Sequence, residues 1–108
     1  MTAAWVKTTT ERGTMHITVS GEIDLDNAAA IESELRAAIS HQPKAVSVDL
    51  TELTYLDSAG IRILFAFASR LKPLRIILKL IVPLGSPTRR LIELSGLESL
   101  ACLQPQRH

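Results

Sequence analysis

Two polar residues interrupt an apolar stretch near the middle of the chain, in the sequence YLDSAGIRI at 55–63. Asp57 and Ser58 place a carboxylate beside a hydroxyl, and three chemistries use such groups: capping of a helix, acceptance of a phosphate and nucleophilic attack. Aspartate and serine are common N-caps, so the simplest interpretation is that one of them only caps a helix. In the second interpretation Ser58 carries a phosphate, whose charge the positive end of a helix would tolerate.

Nucleophilic catalysis by Ser58 fits the sequence poorly. A nucleophile elbow needs Gly-x-Ser-x-Gly, and Leu56 occupies the position of the first glycine. The histidines, at 16, 41 and 108, have no fixed relation to Ser58. We therefore predict that the chain has no catalytic residue and is not an enzyme.

Sites for a cofactor or a metal ion are equally unsupported. No glycine-rich loop is followed by lysine, and one cysteine with three scattered histidines offers no metal-ligand spacing. Glu22, Asp24 and Asp26 alternate at the end of a predicted strand, which is compatible with a cation site or an acid/base pair. Charged side chains are usually exposed, so we interpret these three as loop carboxylates and predict neither metal nor cofactor.

Length and composition describe an ordinary globular protein. The chain has 108 residues, of which 46% are hydrophobic and 21% charged, and this length suits a single domain over 1–108. The 12 basic and 11 acidic residues leave a net charge of +1, which argues against nucleic acid as the main partner. The first residues contain no apolar signal segment, and the apolar stretch at 74–84 is too short and interrupted to cross a bilayer. With one cysteine and no internal disulfide, we expect a cytoplasmic protein without a membrane partner.

Hydrophobic periodicity outlines the elements that must position Asp57 and Ser58. Alternating residues predict strands, and a period of about 3.6 residues predicts helices, the first of them capped by Asp26 or Asn27. The predicted strands lie at 5–10, 14–19, 45–50, 74–82 and about 97–103, and the predicted helices at about 27–39, 58–71 and 87–95. This order predicts an α/β fold, a mixed four- to five-stranded sheet with helices packed against it.

The same periodicity predicts which side chains are buried. Six residues of one strand and two helices should lie in the core: Val46, Val48, Leu50, Leu64, Ala68 and Leu91. In the helix at 58–71 the packed face should comprise Ile61, Leu64, Phe65, Ala68 and Leu71. Arg62 should point away from the sheet, with Ile63 at the exposed edge of the helix.

Three blocks of sequence follow one another along the chain: SGEIDLDNAAAIESELRAAI (20–39), VSVDLTELTYLDSAGIRILFAFASR (46–70) and PLGSPTRRLIELSGLESL (83–100). Together and in this order they resemble the STAS domain family of bacterial anti-sigma factor antagonists and sulfate-transporter C-terminal regions. The resemblance covers about 5–103, nearly the whole chain. It implies a STAS-type fold.

The resemblance also implies a function and a phosphorylation site. Stand-alone members of the family bind an anti-sigma factor that is also a serine kinase, and so release a sigma factor. Phosphorylation of one serine blocks that binding, and a serine phosphatase reverses it. The acceptor serine corresponds to Ser58, and its environment comprises Asp24, Asp57, Ala59 and Gly60.

The partner surface should surround the start of this helix. We predict that the anti-sigma factor contacts Gly21, Glu22, Asp26, Asn27, Arg62 and Ile63. The alternative within the same fold is a constitutive scaffold or transporter-associated STAS subunit that binds its protein partners without a switch. The presence of an acceptor at Ser58 favours the switch, because a constitutive subunit has no need of it.

Overall fold

The computed structural model describes residues 2–106, which form three α-helices and six β-strands. The strands are β1 (Ala4–Glu11), β2 (Thr14–Ile23), β3 (Ala45–Asp49), β4 (Leu53–Leu56), β5 (Ile77–Ile81) and β6 (Cys102–Gln104). The helices are α1 (Ala28–Ala38), α2 (Ser58–Leu71) and α3 (Pro87–Ser95), and a short 3₁₀ turn covers Leu97–Ser99. The predicted mixed α/β fold is confirmed, but the strand count of four to five is wrong.

The strands form one mixed sheet in the order β1-β2-β3-β5-β6. β1 and β2 are antiparallel, and every other pair in the sheet is parallel. β4 is the strand that the sequence analysis missed. It pairs in parallel with the far end of β2, beyond a shift of register between Gly21 and Glu22. Four residues paired with a distant segment leave too short a pattern to be read from the sequence alone.

Local sequence explains where several elements begin and end. Arg12 and Gly13 connect β1 to β2 with φ values of 51° and 84°, as a two-residue type I′ turn requires. α3 begins where Ser86 Oγ accepts a hydrogen bond from the backbone N–H of Arg89 at 3.1 Å, and it ends at Gly96 with φ 83°. The predicted bounds of α2 and α3 are confirmed, whereas β5 starts three residues later than predicted, after a turn at 72–75.

One face of the sheet packs against the helices and the other is mostly polar. The core face carries Met15, Ile17, Val19, Val46, Val48, Leu78 and Leu80, all buried in one apolar cluster with residues of the three helices. Five of the six residues predicted to be buried are buried, and Leu91 is half-buried. The alternate residues of β2, β3 and β5 form what we call the polar face. It carries Thr14, His16, Thr18, Ser20, Ser47, Asp49 and Lys79, together with the apolar residues Ala45, Ile77 and Ile81.

The buried side of α2 differs from the predicted one. It follows a regular spacing of three and four residues: Gly60, Ile63, Leu64, Phe67, Ala68 and Leu71. Ile61 and Phe65 are only half-buried. Ile63 was predicted to lie at the exposed edge and is 6% exposed, so that prediction is wrong. Gly60 lies on the same buried side, where α2 packs closely against Leu56 of β4 and Ile23 of β2.

Candidate functional site

The first turn of α2 is capped by Asp57 rather than by Ser58. Asp57 follows β4 in an extended conformation, and its Oδ1 accepts hydrogen bonds from the backbone N–H groups of Ala59 at 2.9 Å and Gly60 at 3.2 Å. Its carbonyl oxygen accepts the N–H of Ile61 at 3.0 Å. Asp57 thus satisfies the backbone N–H groups of Ala59, Gly60 and Ile61 at the start of the helix.

Ser58 is consequently available to another molecule. It is the first residue of α2 and is exposed. None of the side-chain hydrogen bonds formed among residues 2–106 involves its hydroxyl. A hydroxyl that neither caps the helix nor ties the fold together can be modified without breaking a native contact.

A tight turn at 24–27 stands beside this helix start. Asp24 Oδ1 accepts the N–H of Asp26 at 2.9 Å, and Asn27 Oδ1 accepts the N–H of Asp24 at 3.0 Å. Asn27 Nδ2 donates to the carbonyl oxygen of Glu22 at 2.8 Å. Asn27 takes the N-cap position of α1 as predicted, but its side chain makes no capping bond because it ties the turn together instead.

Asp24 is the centre of this turn. The hydroxyl of Thr2 donates a hydrogen bond to its other carboxylate oxygen, Oδ2. This bond, together with the N–H of Asp26, lowers the pKa of Asp24 below its ordinary value. Asp24 is therefore ionised at neutral pH, and both of its carboxylate oxygens accept hydrogen bonds that order the loop.

Strand pairing brings the turn and Ser58 together. Ile23, the last residue of β2, pairs with Leu56, the last residue of β4. The N–H of Asp57 donates to the carbonyl oxygen of Ile23 at 3.4 Å, which continues the pairing by one residue. The chain therefore leaves two neighbouring parallel strands at one edge of the sheet, once into the Asp24 turn and once into α2.

Five of the six residues predicted to contact a partner retain at least part of their surface around this edge. Glu22, Asp26 and Arg62 are exposed, and Gly21 and Asn27 are half-buried. Ile63 points into the core and drops out of this surface. We use the name α2-edge surface for these five residues together with Ser58 and Leu25.

Leu25 is the residue that the sequence analysis missed. Its side chain is 76% exposed, between the turn-forming residues Asp24 and Asp26. Ile23 and Leu25 continue the apolar alternation of β2, as if the strand ran on and the Leu25 side chain were buried. The strand, however, ends at Ile23. The aspartates on either side, typical of turns, are the signal that could have placed Leu25 outside the strand.

Gly60 allows α2 to approach the two strands closely. A Cβ atom at this position would overlap Leu56 Cδ1 and would lie 3.1 Å from Leu56 Cγ and 3.2 Å from Ile23 Cγ2. These two side chains are buried and belong to the last residues of β2 and β4, directly before Asp24 and Asp57. The position of Ser58 relative to the Asp24 turn thus depends on the absence of a side chain at Gly60.

Gly60→Ala should destabilise the protein by about 1–3 kcal/mol, because overpacking costs more than the helix gains from alanine. Chemical denaturation, followed by circular dichroism, measures the free energy of unfolding. Ala66→Gly, at an exposed position of the same helix, is the control and should cost no more than about 1 kcal/mol. A Gly60→Ala variant as stable as the wild type would show that α2 has room to move.

Two further features of the described chain bear on function. Within residues 2–106, no group of three or more His, Cys, Asp or Glu side chains is arranged to hold a metal ion. In the same range no helix combines the length and the apolar character needed to span a membrane.

Comparison with known proteins agrees with this geometry. A family model described as "Mlab, STAS domain" matches residues 6–105. The anti-sigma-F factor antagonist RsfB of Mycobacterium tuberculosis is 35% identical over 86 residues, which are 80% of this chain and 69% of RsfB. The anti-sigma-B factor antagonist of Listeria monocytogenes is 34% identical over 94 residues, covering 83% of this chain and 80% of that protein.

A solved structure extends the similarity to three dimensions. The crystal structure of an anti-sigma factor antagonist from Mycobacterium paratuberculosis superposes with a TM-score of 0.81 at 31% identity, over 96% of this chain and 87% of the other. Because the family model spans nearly the whole chain and the relatives align over most of their length, this chain belongs to the STAS domain family.

Proposed function

We propose that this protein is an anti-sigma factor antagonist that is switched off by phosphorylation of Ser58. It binds an anti-sigma factor, which thereby releases a sigma factor, and the serine kinase activity of the same partner modifies Ser58. A serine phosphatase restores the binding-competent form. The relatives named as anti-sigma factor antagonists support the first part of this proposal.

One observation carries the proposal for the switch. Asp57 alone caps the start of α2 with its side chain. The exposed hydroxyl of Ser58 therefore has no structural role within residues 2–106. A constitutive scaffold or a transporter-associated subunit would not require an accessible serine here. The phosphorylated form would therefore keep its fold, and the change would be confined to the surface that a partner meets.

Arg62 helps this position accept a phosphate. It is exposed, lies four residues after Ser58 on α2, and has no ion-pair partner among residues 2–106. Side chains on a helix lean toward its N-terminus, and an anion is best placed four residues before a cation. The phosphate would lie near the guanidinium of Arg62 and at the positive end of the helix dipole, and both would stabilise it.

The α2-edge surface has the composition of a protein interface. Leu25 supplies an exposed apolar side chain, and Glu22, Asp26 and Arg62 supply charges around it. An apolar centre with a polar rim is the usual arrangement of residues that bind another protein. We place the anti-sigma factor on this surface, with Ser58 inside the contact.

Phosphorylation by the cognate anti-sigma factor tests the proposal directly. Incubation with that protein and ATP should add one phosphate, which mass spectrometry of the intact chain and of its peptides should assign to Ser58. Ser58→Ala should remain unmodified, whereas Ser69→Ala, at another exposed serine of α2, should be labelled like the wild type. Labelling that persists in Ser58→Ala would refute the assignment of the acceptor. Binding without any labelling would favour the constitutive scaffold.

A further inference from the structure

A small pocket lies on the polar face of the sheet, on the side opposite the helices. Its volume is about 210 Å³, and four of its lining residues are Thr14, His16, Ser47 and Lys79. One water molecule takes about 30 Å³ in the liquid, and pockets for drug-sized ligands hold about 300–1,000 Å³. The pocket thus has room for a few water molecules or for a ligand of few atoms.

Strand register places three chemically active side chains of this pocket in one row. His16 of β2 pairs with Ser47 of β3, and Ser47 pairs with Lys79 of β5. Paired residues in neighbouring strands lie about 4.8 Å apart and point to the same face. An imidazole, a hydroxyl and an ammonium group therefore stand side by side across three parallel strands.

One of these groups lacks the hydrogen bond that a buried polar atom normally makes. His16 Nδ1 is buried and, among residues 2–106, has no hydrogen-bond partner. Its other nitrogen, Nε2, lies 3.9 Å from Glu11 Oε1, which is beyond hydrogen-bond length. Ser47, beside it, is 7% exposed as a residue, and its hydroxyl makes no side-chain hydrogen bond within the described chain. An unpaired buried polar group costs about 1–3 kcal/mol, so a molecule in the pocket that bonds to His16 Nδ1 would be stabilised.

The charges around the pocket indicate the sign of that molecule. Lys79 is the one charged residue in the pocket lining, and it has no ion-pair partner in the described part of the chain. The neighbouring acidic residues, Glu11 and Asp49, lie at the margin of the pocket. Glu11 approaches the far side of the His16 ring, and Asp49 Oδ1 accepts the N–H of Thr51 at 2.9 Å.

We infer that this pocket binds a small anion, with a carboxylate or phosphate group held by Lys79, Ser47 and His16. The ammonium of Lys79 provides the charge, the Ser47 hydroxyl donates a hydrogen bond, and His16 Nδ1 donates a second one when it carries the ring proton. The site lies on the face of the sheet opposite to the core, and it is independent of the modification proposed for Ser58. Through this site the protein would respond to a small metabolite as well as to its protein partner.

Titration with two probes, followed by NMR, tests this inference. Sodium phosphate and sodium succinate are added separately to the full-length protein, with sodium chloride at matched ionic strength as the blank. The amide signals of Ser47 and Lys79 and the ring signals of His16 should shift saturably, with a Kd in the range of about 1 mM or below for at least one probe. The probe that binds more tightly identifies the group.

Matched variants distinguish binding at this pocket from a general effect of positive charge on the protein. Lys79→Gln should weaken binding at least about tenfold, because it removes the charged partner of the anion. Lys7→Gln removes the same charge from an exposed position on β1, which pairs with Thr18 on the same face, and should leave the Kd unchanged. Shifts that follow sodium chloride, that do not saturate, or that persist equally in Lys79→Gln would overturn the inference.

Discussion

The phosphorylated protein should bind its anti-sigma factor roughly 5- to 150-fold more weakly than the unmodified protein, and Ser58→Asp should bind weakly as well. A phosphate adds about −1.5 to −2 charges at a position where Asp24 and Asp57 already hold negative charge. At ~6 Å and an effective dielectric constant of ~20, two unit charges interact by about 3 kcal/mol before screening by salt, which sets the scale for the repulsion between the added charge and a negative group of a docked partner. Screening and rearrangement should leave about 1–3 kcal/mol of coupling between modification and binding.

We expect Arg62 to increase the effect of the phosphate on the partner. In the unmodified protein its guanidinium is exposed and free to contact the anti-sigma factor. After modification, the phosphate four residues earlier on the same helix attracts it. The partner then loses a cation as well as meeting an anion, and a packed interface has no space for three additional oxygen atoms.

Isothermal titration calorimetry of four proteins checks this prediction. The wild type and Ser58→Ala should bind alike, whereas Ser58→Asp and the phosphorylated wild type should bind weakly. Thermal melts should give all of them similar midpoints, because the Ser58 hydroxyl makes no side-chain hydrogen bond within residues 2–106. If Ser58→Asp bound as tightly as the wild type, charge would not be the switch. A large loss of thermal stability in Ser58→Asp would instead attribute the weak binding to unfolding.

Much of the secondary structure that positions Ser58 could be predicted, because local sequence specifies where the helices begin. The caps of α2 and α3, at Asp57 and Ser86, are short-range signals whose chemistry leaves few alternatives. The sequence left open which member of the Asp57–Ser58 pair caps α2. The structure answers this question, since only the aspartate carboxylate contacts the backbone N–H groups of Ala59 and Gly60.

The features that could not be predicted depend on contacts between distant segments. β4 exists because Tyr55 and Leu56 find partners in Glu22 and Ile23, after a shift of register at Gly21. Gly21 permits this shift, since its φ of 94° is rarely adopted by other residues and a side chain there would meet Ala3 and Ala4.

The orientation of α2 could not be predicted for a similar reason. The helical period is visible in the sequence, but the sequence does not show where on the circumference the sheet will lie. That direction depends on packing against distant segments, such as the packing of Gly60 against Leu56 and Ile23, and it places Ile63 in the core. Ile63 is therefore absent from the partner surface, whereas Arg62 remains on it.

Leu25→Asp should weaken binding of the anti-sigma factor by roughly 30- to 150-fold while leaving the free protein as stable as the wild type. Burial of a leucine side chain in an interface contributes about 2–3 kcal/mol, and the substitution removes that contribution. The new carboxylate would also stand between Asp24 and Asp26, where it increases the negative charge that the partner must accommodate. In the free protein the side chain is 76% exposed, so its replacement should change the free energy of unfolding by no more than about 0.5 kcal/mol.

Leu94→Asp is the matched control for this prediction. Leu94 is 73% exposed on the last turn of α3, outside the elements that form the α2-edge surface. Its substitution makes the same chemical change and should leave the Kd for the anti-sigma factor unchanged. Calorimetric titration of both variants, with denaturation curves for each, separates binding from stability. Equal affinities of Leu25→Asp and the wild type would move the interface away from the Asp24 turn. A loss in Leu94→Asp as large as in Leu25→Asp would show that the partner contacts α3, because a single docking site beside Ser58 cannot produce it.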